Sequence, residues 1–317
     1  MVSYAVIVVN YHTEQHVLRA VQSVSTCATS DDFGVVIVDN GSATSAASSS
    51  LLAIRDDRIH VLKAAKNLGF ARANNLGIRH AAEAFQPEFL VIMNPDVEIE
   101  RRGTIERLID RVRFASPQVA GAQPLVRNYW SAADPRNNFQ IRRIPSVFDL
   151  AVADTILLRF VFARRFRHFL MMDLMPYISV VPFFVPSGAF FVMRASDFAQ
   201  LGYFDEGTFL YGEEFILGEN LRRQGKHLLL DPNEQVCHYQ GASTRFGKQY
   251  FPSLRMNRFR TESEIYFASK YLGAGRLKCL MIQLALAVGF GVRAIAWFPL
   301  RGVEWYRRAF GTNTHRN

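Results

Sequence analysis

The run Leu90-Val91-Ile92-Met93-Asn94-Pro95-Asp96 is apolar until it delivers a single carboxylate. Such a run reads as a buried strand. Ligands of open α/β sheets gather outside the carboxyl ends of the strands, where an aspartate can hold a divalent cation against a phosphate. Taken alone, Asn-Pro-Asp reads equally as a turn opened by Asn and Pro. A second apolar strand, Val35 to Val38, closes on Asp39-Asn40-Gly41-Ser42. Asp39 there can accept from a base N–H or a ribose hydroxyl while Gly41 lets the backbone turn sharply; the alternative is a plain turn into a helix capped by Ser42 or Thr44. A third strand leads into Lys66-Asn67-Leu68-Gly69-Phe70-Ala71-Arg72-Ala73-Asn74-Asn75-Leu76-Gly77. The free N–H groups of that helix start, with Asn67 and Arg72 nearby, suit a diphosphate, although an Asn cap with a Gly turn writes the same residues. Far downstream, Glu213-Glu214 opens a helix carrying Phe215, Leu217 and Leu221. Adjacent helical residues point about 100° apart, so one carboxylate can face a pocket while the other is held elsewhere. The bland reading of the pair is that the helix dipole stabilises acids in its first turn.

These groups need a scaffold that brings them to one rim. Strand and helix signals alternate through the first 125 residues: strands at Tyr4 to Val9, Val35 to Val38, Ile59 to Leu62 and Phe89 to Met93, helices at Val17 to Val24, Phe70 to Phe85 and Thr104 to Phe114. That alternation predicts an α/β fold with a mostly parallel sheet covered on both faces. Residues 128–177 lose the pattern, with Pro135 and Pro145 breaking it, and read as an insertion or lid over the sheet edge. Ala189 to Met193 then resembles a strand, Glu213 to Gln224 a helix and His227 to Leu230 a short strand. The domain plan is one domain over 1–250, divided into a first half (1–125), the insertion (128–177) and a second half (178–250), followed by a helical, membrane-associating extension over 251–317.

The chain has 317 residues, 49% of them hydrophobic, with a formal charge of +9, so an anionic partner is expected. Its basic residues gather in apolar stretches, Arg159 to Arg167 and Arg293 to Arg308, which favours a membrane surface over nucleic acid. Cys27, Cys237 and Cys279 are isolated and lack zinc spacing, which implies a reducing compartment. The N-terminus reads as a first strand and not a signal peptide. Cys279 to Val292 is apolar apart from Gln283, and Arg293 and Ala294 to Leu300 follow. If Arg293 snorkels, this stretch can lie in the interface or enter the bilayer; it can also pack on the domain or on a copy of itself.

Taken in order, Val8-Val9-Asn10-Tyr11, Val38-Asp39-Asn40-Gly41-Ser42, Asn67-Leu68-Gly69-Phe70-Ala71 with Asn74-Asn75 and Gly77, and Asn94-Pro95-Asp96 resemble the family 2 glycosyltransferases. Pro186-Ser187-Gly188-Ala189-Phe190-Phe191, Gly202-Tyr203-Phe204-Asp205-Glu206, Phe209-Leu210-Tyr211-Gly212-Glu213-Glu214 and His238 with Gly241 and Ser243 continue the likeness to about residue 245. It points to the rhamnosyltransferase-like branch that builds bacterial surface polysaccharides of the cell envelope. The resemblance implies a GT-A fold, a nucleotide-diphosphate sugar donor, dTDP-rhamnose first, and Mg²⁺ or Mn²⁺ as cofactor. It implies a lipid-linked or glycan acceptor at the cytoplasmic, inner face of the plasma membrane; the basic and apolar C-terminal helix, beyond the resemblance, is expected to meet anionic lipid or pair with a second copy. By position, Asn10, Tyr11, Asp39, Asn40, Gly41, Asn67, Gly69, Phe70, Arg72, Asn75, Asn94 and Pro95 would line the donor site. Asp96 and His238 would meet the metal, Ser187, Gly188, Ala189 and Tyr211 the acceptor, and Glu214 or Glu213 would be the base. Asn94 stands where many GT-A enzymes have an aspartate, so the diphosphate must supply more of the metal's ligands; Glu213-Glu214 stands where the family writes Glu-Asp, so Glu214 would take the base role with an extra methylene of reach.

Transfer needs a base opposite the departing nucleotide. No nucleophile suited to retention emerges, so inversion is expected. Two other classes compete: a GT-A-shaped scaffold subunit without catalysis, and a nucleotidyltransferase, which would carry a glycine-rich basic loop where this chain has Asn10-Tyr11-His12-Thr13. Gly241 to Lys248 fails as a P-loop because Gln249 stands where Ser or Thr should hold magnesium, and no Gly-x-Gly-x-x-Gly follows the first strand.

Overall fold

Strand β1 (Tyr4–Asn10) and strand β2 (Phe33–Asp39) are apolar along nearly their whole length because both of their faces are covered. In the computed structural model, which describes residues 1–42, 50–130, 134–138, 140–239 and 254–310, they form the centre of a sheet ordered β3-β2-β1-β4-β8-β6-β9-β5. The remaining strands are β3 (Ile59–Lys63), β4 (Phe89–Met93), β5 (Val97–Glu98), β6 (Val119–Asn128), β7 (Val181–Phe183), β8 (Phe190–Arg194) and β9 (His227–His238), with β7 paired to β9 off the main path. Pairing is parallel across β3-β2-β1-β4 and between β6 and β9; it is antiparallel where β8, β5 and β7 join.

One face is covered by α1 (Glu14–Cys27) and α3 (Thr104–Arg113), whose apolar stripes meet Val6, Val35 and Val91. The other carries α2 (Phe70–Ala84), α7 (Ala195–Gln200) and α8 (Glu213–Arg223), around Ile7, Val38 and Phe191. Between residues 140 and 177, the short helices α4 (Val147–Asp154), α5 (Ile156–Val161) and α6 (Ala163–Phe169) sit beside a segment whose Ile141, Met171 and Tyr177 are buried in the second core. The C-terminal helices α9 (Leu254–Tyr271) and α10 (Arg276–Phe310) are tied to α4 and α8 by a third, smaller core of Leu150, Ile216, Phe267, Ile282 and Leu286.

Strand β9 runs much further than Leu230. Asp231-Pro232-Asn233 looks like a turn, but here it bulges: Pro124 faces Asp231, Leu125 faces Gln235, and pairing resumes to His238. That extension positions the site.

Candidate active site

Register alone brings most of the acidic and amide groups to one rim. Asn10 pairs with Asp39 at the ends of β1 and β2, and Val8 pairs with Met93, so Asn94-Pro95-Asp96 leaves the sheet beside them. Met93 pairs with Phe190 in the antiparallel β8, which places Ser187-Gly188-Ala189 at the same edge. The Asn94 N–H donates to the Ala189 carbonyl at 2.8 Å.

Asp96 is 4% exposed, and the chain crosses from it directly into β5, where Val97 pairs with His238. The Tyr239 N–H donates to the Asp96 carbonyl at 2.8 Å, and His238 Nε2 lies 3.2 Å from Asp96 Oδ1. Asp96 and His238 are thus neighbours across a strand pair despite a sequence separation of 142. Among the described residues no three His, Cys, Asp or Glu side chains gather as a metal cluster. A carboxylate with one imidazole fits a cation that takes its other ligands from phosphate oxygens and water. Sequence reading missed a neighbour, His16 on α1, whose pKa is lowered by burial and by Arg19 and pulled up by Asp96.

The donor-side amides form a scaffold. Asn10 Oδ1 accepts from the Thr13 N–H and hydroxyl, each at 3.0 Å, and its amide donates to Asp39 at 3.2 Å. Asn40 Oδ1 accepts from the Leu68 N–H at 2.8 Å, and its amide donates to Asn67 Oδ1 at 3.1 Å. Gly41 packs against the Lys66–Asn67 backbone, and Tyr11 is half-buried against His12. Gly69 has φ +84°, and a Cβ on it would lie 2.3 Å from the Phe209 carbonyl, so only glycine fits between the two loops. Phe70 donates its N–H to that same carbonyl at 2.9 Å.

Two expected donor residues face elsewhere. Asn75 is 1% exposed and is bonded to the Phe204 backbone and to Glu206; exposed Arg72 sits 3.8 Å from Glu206. Both hold the 204–206 loop against α2. The Gly241 and Ser243 positions lie outside the described residues.

On the opposite wall, Tyr211 (φ +73°) and Gly212 (φ +84°) turn the chain into α8. Glu214 is half-buried, and a Cβ on Gly188 would lie 2.2 Å from its Oε1, so the carboxylate rests directly over the Ser187-Gly188 backbone. Buried Gln123, invisible as a site residue in sequence, steadies that backbone by accepting from the Ser187 N–H at 2.7 Å. Glu213 turns inward. It is 3% exposed, its Oε1 has no hydrogen-bond partner among the described residues, and burial, then Glu214's charge, push its pKa up to about 8. A carboxyl whose folded pKa lies above its unfolded value binds its proton more readily in the native state. Its contribution to stability is present in full below the unfolded pKa and is lost as pH rises through about 8. Glu213→Gln, neutral at every pH, should flatten the fall in Tm between about pH 4.5 and 8; an unchanged slope in a thermal melt series would contradict the neutral assignment.

The order of the strands and the acid-lined rim define a GT-A glycosyltransferase. A mannosyltransferase from Pyrobaculum calidifontis, solved with GDP-Man and Mn²⁺, shares the fold at TM-score 0.53 and 15% identity, over 95% of this chain and 75% of that one. GalNAc-T7, solved with UDP, GalNAc and Mn²⁺, does so at TM-score 0.55 and 14% identity; 85% of this chain spans 50% of its length. The profile described as glycosyl transferase family 2 matches residues 5–178, and the chain belongs to that family. It is an enzyme of the rhamnosyltransferase-like branch, being 27% identical over 278 residues to the N-acetylglucosaminyl-diphospho-decaprenol L-rhamnosyltransferase of Mycobacterium tuberculosis, across 84% of this chain and 85% of that protein.

Proposed function

We propose that the protein moves a sugar, rhamnose first among the choices, from a nucleoside-diphosphate donor to a sugar carried on a lipid diphosphate, with inversion. The observation that carries this reading is the Asn94–Ala189 hydrogen bond with Glu214 lying over Gly188: it joins the loop of Asp96 to the loop beneath Glu214 at one sheet edge. Asp39 and the Asn10, Asn40 and Asn67 amides would frame the nucleoside end. Asp96 and His238 would hold Mg²⁺ or Mn²⁺, which when bound neutralises charge on the departing diphosphate. Glu214 reaches the cleft, takes the proton of the acceptor hydroxyl, and leaves the face opposite the nucleotide open to direct attack. Glu213, protonated and buried, shapes the wall behind it.

A membrane surface fits the acceptor. Arg276–Ile295 is long and apolar enough to span, with mean hydropathy 1.6 and only 17% of its most apolar window buried. Leu277, Leu280, Met281, Leu284, Val288 and Ile295 form one exposed stripe on α10, while Ile282 and Leu286 pack inward. Nearby α5 and α6 expose Phe160 and Val161 next to Arg164 and Arg167, and Thr155 bonds the Ala285 carbonyl at 3.3 Å, so stripe and basic patch are contiguous. This pattern suits an interfacial helix on anionic lipid; the side chains beyond residue 295 lie outside those described. Leu280→Glu with Leu284→Glu should abolish co-sedimentation with phosphatidylglycerol vesicles without loss of the folded state. Persistent binding would remove the stripe from the account, and a shift from dimer to monomer instead would assign it to a second copy.

The donor reading is tested by thermal shift with Mn²⁺ across a nucleotide-sugar panel, followed by product analysis. A ligand bound only by the folded state raises Tm. Stabilisation by dTDP-rhamnose or a UDP-hexose, with nucleoside diphosphate released on acceptor addition, is expected. Binding without turnover would make the chain a scaffold.

A further inference from the structure

Arg142 lies in the irregular stretch before α4, a place where sequence pattern gave no reason to look. Its N–H donates to the Val185 carbonyl at 3.2 Å in an isolated bridge, which ties it to the segment that runs into Pro186-Ser187-Gly188. Its guanidinium stands 5.5 Å from the centre of the Phe215 ring. Phe215 directly follows Glu214, and Glu214 lies over Gly188, so Arg142 is held between the two walls that frame the carboxylate.

A guanidinium carries five N–H donors. This one is half-buried, yet among the described residues its side chain makes no hydrogen bond and no ion pair. Its donors are therefore left open to solvent and to a ligand. A second cation, Arg260 of α9, is paired through Nε to Glu264 at 2.8 Å and acts electrostatically on Arg142. Arg142's pKa is lowered by burial and by Arg260 and is raised by Glu214, which names the charges around it. Glu214 acts on Arg142 electrostatically, and the planar, forked donors of Arg142 match phosphate oxygens.

We propose that Arg142, with Arg260 beside it, binds the phosphate groups of the acceptor. The reading rests on the transferase function above and adds the residue that selects for a diphosphate-linked acceptor. Arg142 stacks on Phe215, the residue next to the base. Asp96 serves the donor's diphosphate; Arg142 serves the acceptor's.

Calorimetry separates the two sites. Geranyl diphosphate and inorganic pyrophosphate, titrated in EDTA, should bind wild type and Asp96→Asn alike and bind Arg142→Ala at least about tenfold more weakly. UDP or dTDP with Mn²⁺ should show the reverse, binding Arg142→Ala normally and Asp96→Asn poorly. Arg142→Lys, which keeps the charge over Phe215 but loses the fork, should fall between and guards against misfolding as the cause. In turnover, Arg142→Ala should raise KM for a lipid-diphosphate sugar about tenfold or more while leaving kcat and the rate on a neutral alkyl glycoside little changed. Equal geranyl diphosphate affinity in Arg142→Ala and wild type overturns the proposal. So does an equal loss on charged and neutral acceptors with a displaced pH profile, which would mean that Arg142 only tunes Glu214. Failure of the transferase reading looks different: wild type would bind no nucleotide with Mn²⁺, whereas the geranyl diphosphate comparison would still report on Arg142.

Discussion

Glu214→Gln lowers the rate of sugar transfer by about 10²–10⁴-fold, the usual contribution of a positioned general base, and leaves donor affinity within about twofold. The asymmetry follows from placement. Glu214 lies over the Ser187-Gly188 backbone on the acceptor wall, whereas the donor end is framed by Asp39, Asn40 and Asn67. Gln occupies the same volume and keeps the Phe215–Phe267 packing that anchors α8 to α9. Its amide cannot accept the hydroxyl proton. The control is the neighbouring residue: Glu213→Gln should retain most activity, because Glu213 is already neutral near pH 7 and turned into the protein. Stopped-flow or coupled assays for nucleoside diphosphate, with donor affinity measured separately, read both effects. Full activity in Glu214→Gln together with loss in Glu213→Gln would reverse the assignment of the base.

Asp96→Asn should abolish Mn²⁺-dependent nucleotide binding and lower turnover by about 10³-fold, since a metal at a departing diphosphate is worth several kcal/mol. The fold should survive. The contact that fixes this loop to β9 is main-chain, Tyr239 N–H to the Asp96 carbonyl, and Asn fills nearly the same space. What is lost is the buried negative charge, 4% exposed, that a dication requires. With few protein ligands available, removing one costs more here than in a site built from several carboxylates. His238→Ala should have the same direction and a smaller size. Retained Mn²⁺ dependence in Asp96→Asn would move the metal elsewhere on the rim.

Sequence order exposed the rim because parallel strands deliver their ends to one place. The apolar runs of β1, β2 and β4 were legible as buried strands, and with them the placement of Asp39 and Asp96 at one end of the sheet. What escaped was geometry made by short or interrupted pairing. β5 is two residues long, and β9 continues through a proline bulge, yet these two strands set His238 beside Asp96. Arg72, Asn75 and Arg79 share one face of α2 by helical spacing, and that face meets the 204–206 loop, which is why the first two turn away from the donor. The two glutamates were expected to diverge, but which one faces the cleft depends on the left-handed Tyr211-Gly212 turn, which no periodicity reveals. Arg142 lies where periodicity is absent, and only its bridge to Val185 gives it a place.

The central claim is that the cation grips the donor between Asp96 and His238 while Glu214 waits across the same cleft. A crystal of the protein with Mn²⁺ and its nucleoside diphosphate, phased at the manganese edge, tests this directly. One anomalous peak within about 2.5 Å of an Asp96 carboxylate oxygen and His238 Nε2, with the Glu214 carboxylate open to the face beyond the β-phosphate, is the predicted result. Manganese bound at the Glu213-Glu214 pair, or nucleotide seated away from Asp96, would contradict it.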